Sequence, residues 1–236
     1  MPARLHYELL QTNSNHSARA QDLFMQILAE WRIDVAVVAE PYSVPPQQNW
    51  VGDTEGLVAV VVPAAGTQRI SLKEKGAGYV AVKWGEVVVI GVYFSPNRPL
   101  REFEQFLGGL EPVVQRASPA QVVLMGDLNA KCAAWGCPIT DQRGGGSIVD
   151  VTFATPAIGA RIGDWRVLEE VETLSDHAYI RFRVSKAPLG PQTRTAGERG
   201  GDFPKWAISR LDLELAEEAA MVRAWSADPL NTLGGR

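Results

Sequence analysis

The sequence predicts a layered α/β domain built on mixed β-sheets. Three observations predict it. Short runs rich in Val and Ile recur through residues 5–184, and most are apolar at consecutive positions, as strands covered on both faces are. Only two segments of that stretch carry a helical repeat. Some strands are joined by tight turns and others by helical segments, so two face-to-face sheets would use hairpins as well as crossovers.

Residues 5–12, "LHYELLQT", read as the first strand, and "NSNHS" after it is rich in helix-capping residues. Ala20, Leu23, Phe24, Ile27, Leu28 and Trp31 recur at helical spacing and predict an amphipathic helix over 17–31. "IDVAVVAE" is a buried strand that ends in a carboxylate, Glu40. The prolines of "PYSVPPQQNW" make it a loop, and "GLVAVVV" is a third strand. "GYVAVKW" and "VVVIGVYF", separated by Gly85-Glu86, predict a hairpin, and "SPNRP" a turn. Residues 100–116 carry Phe103, Phe106, Leu107, Leu110 and Val114 on one helical face, against the helix-weakening Gly108, Gly109 and Pro112. "QVVLMGD" follows as a strand, then the aperiodic "KCAAWGCPITDQRGGGS". "IVDVTF" and "AYIRFRV" close the pattern. Residues 1–185 form the predicted domain, 186–206 a linker by their Gly, Pro and Thr content, and 207–236 a C-terminal helical segment through Ile208, Leu211, Leu215, Val222 and Trp225.

The bulk numbers exclude several classes. The 236 residues are 46% hydrophobic, enough for a sizeable core, with a net charge of −4 and a pI near 5.5. That charge argues against a general basic coat for nucleic acid, and acids balance bases at seven each in 186–236, so the excess lies in 1–185. The two cysteines, Cys132 and Cys137, are too few for a disulfide framework and lack the nearby histidines of a zinc site. No apolar run reaches membrane-spanning length, and "MPARLHYELL" lacks the apolar stretch of a signal peptide.

The chemistry lies in polar groups at strand ends. Val122–Met125 is apolar throughout, yet the run ends in Gly126, Asp127, Leu128, Asn129. Glu40 ends another strand, Asn13 lies past the first, Asp150 interrupts an apolar one, and Asp176 and His177 precede the last. Each has a plainer reading alone: Glu40 as a solvated strand end, Asn13 and Asn15 as helix caps, Asp176 as a turn residue, Tyr93 as core. For Asn15 the cap is the reading adopted. Asp150 needs a cation or a donor, and His177 is the donor the sequence offers. Carboxylates gathered at one sheet end repel each other, and a hard divalent cation relieves this. Magnesium is the expected ion, with manganese as its alternative. Asn129 can orient a water that Asp127 activates, and a histidine beside an aspartate can stabilise a charged phosphoryl oxygen. These are the parts of a metal-assisted phosphoester hydrolase.

In order and context, "LLQTNSNH", "DVAVVAEPY", "VYFSPN", "VLMGDLNAKCAAWG", "IVDVTF" and "LSDHAYI" resemble the motifs of the endonuclease/exonuclease/phosphatase superfamily. "GDLNA" with Trp135 and "DVTF" resembles the apurinic-endonuclease-like domain of non-LTR (LINE-type) retrotransposons. The resemblance runs from about residue 5 to 184. It implies a four-layer sandwich of two mixed sheets flanked by helices. It also implies that Glu40 binds magnesium with support from Asn13, that Asp127 and Asn129 position and activate water, and that Tyr93 contacts the scissile phosphate. His177, oriented by Asp150, would stabilise the transition state, and Asp176 would assist the metal or His177. DNA is the implied substrate, a nick with a free 3′-hydroxyl the product, a reverse transcriptase in the same polyprotein the partner, and the nucleus the place of action. One departure stands out. Arg143-Gly144 runs through "GGGS" almost directly into Ile148, where the family has a helix and a strand, roughly 17 residues at mean lengths. Their loss would expose apolar surface and weaken the domain. An inactive relic or binding module without turnover, or a phosphatase of the same superfamily, are therefore the competing readings.

Overall fold

The computed structural model describes residues 4–63, 68–117, 120–129 and 150–186. Its elements are β1 (His6–Asn13), α1 (Ala18–Glu30), β2 (Val35–Ala39), β3 (Trp50–Gly52), β4 (Val58–Val61), β5 (Ile70–Gly76), β6 (Tyr79–Trp84), β7 (Val87–Tyr93), α2 (Leu100–Ala117), β8 (Gln121–Asp127), β9 (Asp150–Ala154), α3 (Pro156–Gly159), β10 (Ile162–Leu168) and β11 (Tyr179–Ser185). The strands form two mixed sheets. One has the order β10-β11-β1-β2-β4-β3, the other β5-β6-β7-β8-β9.

Both sheets are buried on both faces, which is why their central strands read as unbroken apolar runs. Val35, Val37 and Ala39 of β2 and Val123 and Met125 of β8 meet in the core between the sheets. The alternate residues point outward. Ala36 and Val38 pack with Phe24, Ile27 and Leu28 of α1. Val122 and Leu124 pack with Phe103, Leu110 and Val113 of α2. The result is four layers: α1, the six-stranded sheet, the five-stranded sheet, α2.

α1 starts where its cap is: Ser17 Oγ accepts the Ala20 N–H. α2 runs unbroken through Gly108, Gly109 and Pro112. All three are exposed, while Phe103, Leu110, Val113 and Ala117 are buried. The apolar stripe therefore forms its contacts regardless of weak propensity on the solvent side. β3, β5, β10 and α3 were not predicted. β3, β5 and β10 are edge or near-edge strands that pair on one side only; β5 (ISLKEKG) is largely exposed and carries no apolar run.

The stretch after Gly144, the 186–206 linker beyond Lys186, the 207–236 helix, both cysteines and Trp135 lie outside the described residues. β9 is the edge of the five-stranded sheet among the described residues. Its Val151 and Phe153 are buried in the α2 layer, and none of the described residues' large exposed apolar side chains belongs to it. The expected apolar exposure is thus not found on β9.

Gly126 shows how tightly the polar end of β8 is held. Its φ is +143°, and a Cβ there would lie 1.9 Å from the Val92 carbonyl oxygen of the parallel neighbour β7. Gly126→Ala must push two paired strands apart. The expected loss is about 2–3 kcal/mol of unfolding free energy in a urea titration. An unchanged midpoint would contradict this packing.

Candidate active site

The topology brings the polar residues to one end of the sandwich. Each sheet contains one parallel pair, β1–β2 and β7–β8. Asn13, Glu40, Tyr93 and Asp127 lie at or just past the C-terminal ends of these four strands. β9 and β11 run antiparallel to β8 and β1, so their starts lie at the same end. That places Asp150, opposite Asp127 in register, and His177, two residues before β11, beside the others. Strand alternation does the rest. Leu9 faces the core between the sheets, so Asn13 does too; Met125 does, so Asp127 does; Val151 and Phe153 face α2, so Asp150 faces inward.

Asn13, Asn15, Glu40, Tyr93, Ser95, Asn97, Asp127, Asn129, Asp176 and His177, with Pro96, line one cavity of about 260 Å³. Asp150 stands behind His177, whose Nδ1 donates to Asp150 Oδ2 at 2.7 Å. The other ring nitrogen lies 3.9 Å from Asp127 Oδ2. Asp127 is fully buried and held by three donations: Asn13 Nδ2 and Asn129 Nδ2 to Oδ2, and the Asn129 N–H to Oδ1. Asn13 Nδ2 also donates to Glu40 Oε2 at 2.9 Å, so one amide bridges two carboxylates. The Tyr93 hydroxyl donates to Glu40 Oε1 at 2.5 Å.

These contacts refine the expected roles. Asn13, expected beside the metal, presents its amide nitrogen to Glu40 and Asp127, while its oxygen accepts the Asn15 N–H. It orients carboxylates. Asn129 holds Asp127 and also donates to the Phe94 carbonyl. Asp176 Oδ1 accepts from Asn15 Nδ2 at 3.4 Å and Ser175 Oγ at 3.3 Å. Asn15 is not the helix cap, a place taken by Ser17; it lines the cavity instead. Ser95 and Asn97, read from the sequence only as part of a turn, line it too; the residues directly following the Tyr93 strand end were the available signal.

The electrostatics follow from burial. Burial, with the Asp150 charge adding to it, pushes the Asp127 carboxyl up to about 6 against the pull of the Asn13 and Asn129 donors. Burial opposes charge on His177, yet its hydrogen bond to Asp150 and the surrounding carboxylates outweigh that and raise it to about 9. Burial and the Glu40 acceptor hold the Tyr93 hydroxyl protonated well above its ordinary value. Backbone strain gathers here as well. Of seven non-glycine residues with positive φ among the described residues, Asn15, His16, Glu40, Asn129 and Leu174 lie in loops around this end. Such residues persist only where their surroundings fix them, and they cluster at functional sites.

Among the described residues no Lys or Arg lines the cavity, while Glu40, Asp127 and Asp176 do. These carboxylates would repel an anionic phosphodiester, and a bound cation would offset that repulsion. The oxygen-rich wall suits a hard divalent ion, so the donor set fits magnesium. Ligand atoms of Asp127, Asp150 and His177 also lie within 4.8 Å of one another, a set able to hold an ion. The Nδ1–Asp150 bond already occupies one side of that trio, which makes the Glu40 side the more open to a cation.

Sequence and structure comparisons agree with this geometry. The endonuclease-reverse transcriptase family model matches residues 87–146, which contain Tyr93, Asp127 and Asn129. No curated protein matches the chain. The endonuclease domain of TRAS1, a telomere-specific non-LTR retrotransposon, has a TM-score of 0.64 at 22% identity, covering 76% of this chain and 98% of that one. The 3′ phosphatase NExo from Neisseria, bound to a product DNA hairpin, gives 0.57 at 18% identity over 76% and 99%. An AP endonuclease from Archaeoglobus fulgidus gives 0.57 at 15% identity over 77% and 100%. No helix among the described residues is long and apolar enough to cross a membrane. With two mixed sheets enclosed by helices and a cavity at their shared strand ends, the chain has the endonuclease/exonuclease/phosphatase fold, and its residues 87–146 carry the pattern of the endonuclease-reverse transcriptase family.

Proposed function

We propose that the protein is a magnesium-dependent DNA endonuclease that hydrolyses one phosphodiester and leaves a 3′-hydroxyl able to prime reverse transcription. The observation that carries this reading is the convergence of Glu40, Tyr93, Asp127, Asn129 and His177 on one cavity, with Asp150 behind His177.

Glu40 would hold the cation, and Asn13 and Tyr93 hold Glu40 by donating to its two oxygens. When bound there, the cation would supply charge neutralisation for the phosphate beside these carboxylates. Asp127 takes the proton of the attacking water; Asn13 and Asn129 fix the direction in which it does so. His177, protonated and held by Asp150, points its free N–H into the cavity, where negative charge grows on the phosphoryl oxygens. Tyr93, which lines the same cavity, would contact the phosphate, while Asn129 serves through Asp127. The partner would be a reverse transcriptase and the target nuclear DNA.

Supercoiled plasmid tests this directly. Magnesium should convert it to the open circle, and EDTA should abolish the conversion. The nicked ends should be extendable by a polymerase without prior phosphatase treatment. A folded protein that leaves the plasmid supercoiled at every magnesium concentration would favour the inactive relic. Phosphate release from inositol phosphates without nicking would favour the phosphatase.

A further inference from the structure

The loop between β1 and α1 is stitched to the backbone of Glu40. Ser14 N donates to the Ala39 carbonyl at 2.9 Å, and the Ser14 hydroxyl and the His16 N–H both donate to the Glu40 carbonyl, at 2.7 and 2.8 Å. These bonds place His16 beside Glu40, and its ring lies against the Glu40 side chain. Its Nδ1 lies 3.2 Å from the Pro41 carbonyl oxygen, which can only accept, so Nδ1 carries the proton. Its Nε2 lies 3.5 Å from Glu40 Oε1. In a neutral ring that nitrogen is an acceptor, and Oε1 is an acceptor already engaged by Tyr93. A proton on Nε2 or a metal ion shared by the two atoms can bridge them, and a backbone carbonyl on the other ring nitrogen is the arrangement found behind metal-ligating histidines.

The 3.5 Å between these atoms lies just outside the span of two ligands sharing one ion, so a small movement of either side chain would let them share it. Two neighbouring ligands of a cation, each at about 2.1 Å, stand roughly 3.0–3.4 Å apart. The ring is half exposed, so an ion can reach it. His16 is also held at φ +53°, where glycine would be free of strain. The chain places an imidazole at that backbone position.

We propose that His16 is a nitrogen ligand of the cation held at Glu40, so that the site binds Mn2+ more tightly than an all-oxygen set would. The inference rests on the reading of Glu40 as the metal-binding carboxylate. An imidazole adds affinity for transition-metal dications and little for magnesium, which favours oxygen.

The experiment measures ion binding rather than turnover. Mn2+ and Mg2+ are titrated against the melting temperature of wild type, His16→Asn, His16→Gly, Glu40→Gln and His177→Ala, and the Mn2+ complexes are examined by electron spin-echo spectroscopy for directly bound nitrogen. Asparagine and glycine both accept the left-handed backbone, so at least one variant remains folded. Nitrogen coupling is expected in wild type and His177→Ala and absent from both His16 variants. Mn2+ affinity should fall about tenfold in the His16 variants, while Mg2+ affinity stays within about twofold. Coupling that survives in both His16 variants, or Mn2+ binding that depends on Glu40 without any nitrogen coupling, overturns the proposal and leaves the Glu40 reading intact. His16 would then pair with Glu40 only as an imidazolium. Equal ion affinity in wild type and Glu40→Gln overturns the Glu40 reading itself.

Discussion

His177→Ala is expected to lower nicking on the order of a hundred- to a thousand-fold while leaving magnesium affinity nearly unchanged. The reason is a division of labour across the cavity. His177 is bonded to Asp150 on one side and opens towards Asp127 and the cavity on the other. Its contribution grows with the charge of the transition state. Glu40 follows β2 in the same six-stranded sheet whose β11 His177 precedes, with β1 between them; held by Asn13 and Tyr93, it would act on the cation. Glu40→Gln therefore weakens the ion, and added magnesium should restore part of the rate. Asp150→Asn should follow His177→Ala, because it removes the carboxylate that orients the ring and holds its proton. Nicking rates against magnesium concentration for the three variants separate these roles. Equal rescue of His177→Ala and Glu40→Gln by excess magnesium would show that the roles are assigned to the wrong residues.

Much of this site was legible because polar residues interrupt strands that are otherwise apolar at every position. In a strand buried on both faces, alternation carries no signal until a polar side chain breaks it. Asp127 does so at the mouth end of the inter-sheet core, and Asp150 starts the edge strand β9 beside it; a charged group there without partners would be too costly to keep. His177 was identifiable as the donor for Asp150, and the two lie 2.7 Å apart. What the sequence hid depends on tertiary pairing. β5 is polar and exposed, and it is a strand because β6 offers it an edge. β10, with its register shift between Gly163 and Arg166, has no continuous apolar face. Asn15 looked like a capping residue because asparagine favours caps, and His16 carried no signal of its own. Their left-handed backbone conformations, which turn them towards Asp176 and Glu40, cannot be read from residue type alone.

Asp127→Asn should lower nicking about a hundred- to ten-thousand-fold, the range for loss of a general base, and it should also change the pH profile. Burial and the Asp150 charge hold the Asp127 carboxyl near 6, so below that pH it carries the proton it must be free to accept. His177 is raised to about 9 by Asp150 and the neighbouring carboxylates after burial has pulled the other way, and it must keep its proton to work. The sign is therefore opposite for the two groups. Activity should rise as pH passes about 6, hold between, and fall as pH passes about 9. Because the groups interact, the two limbs report the cluster rather than isolated residues. Saturating magnesium favours ionised carboxylates and should move the acid limb to lower pH, with less effect on the alkaline limb. Asp127→Asn should lose the acid limb and keep the alkaline one; His177→Ala should do the reverse. A replacement amide would face the Asn13 and Asn129 donors, so melting curves of the variant belong with the rates. The decisive reading is the shape of the profile. If a folded Asp127→Asn protein retains an acid limb near pH 6 under limiting magnesium, the proton is accepted elsewhere, and Asp127 serves the cation instead.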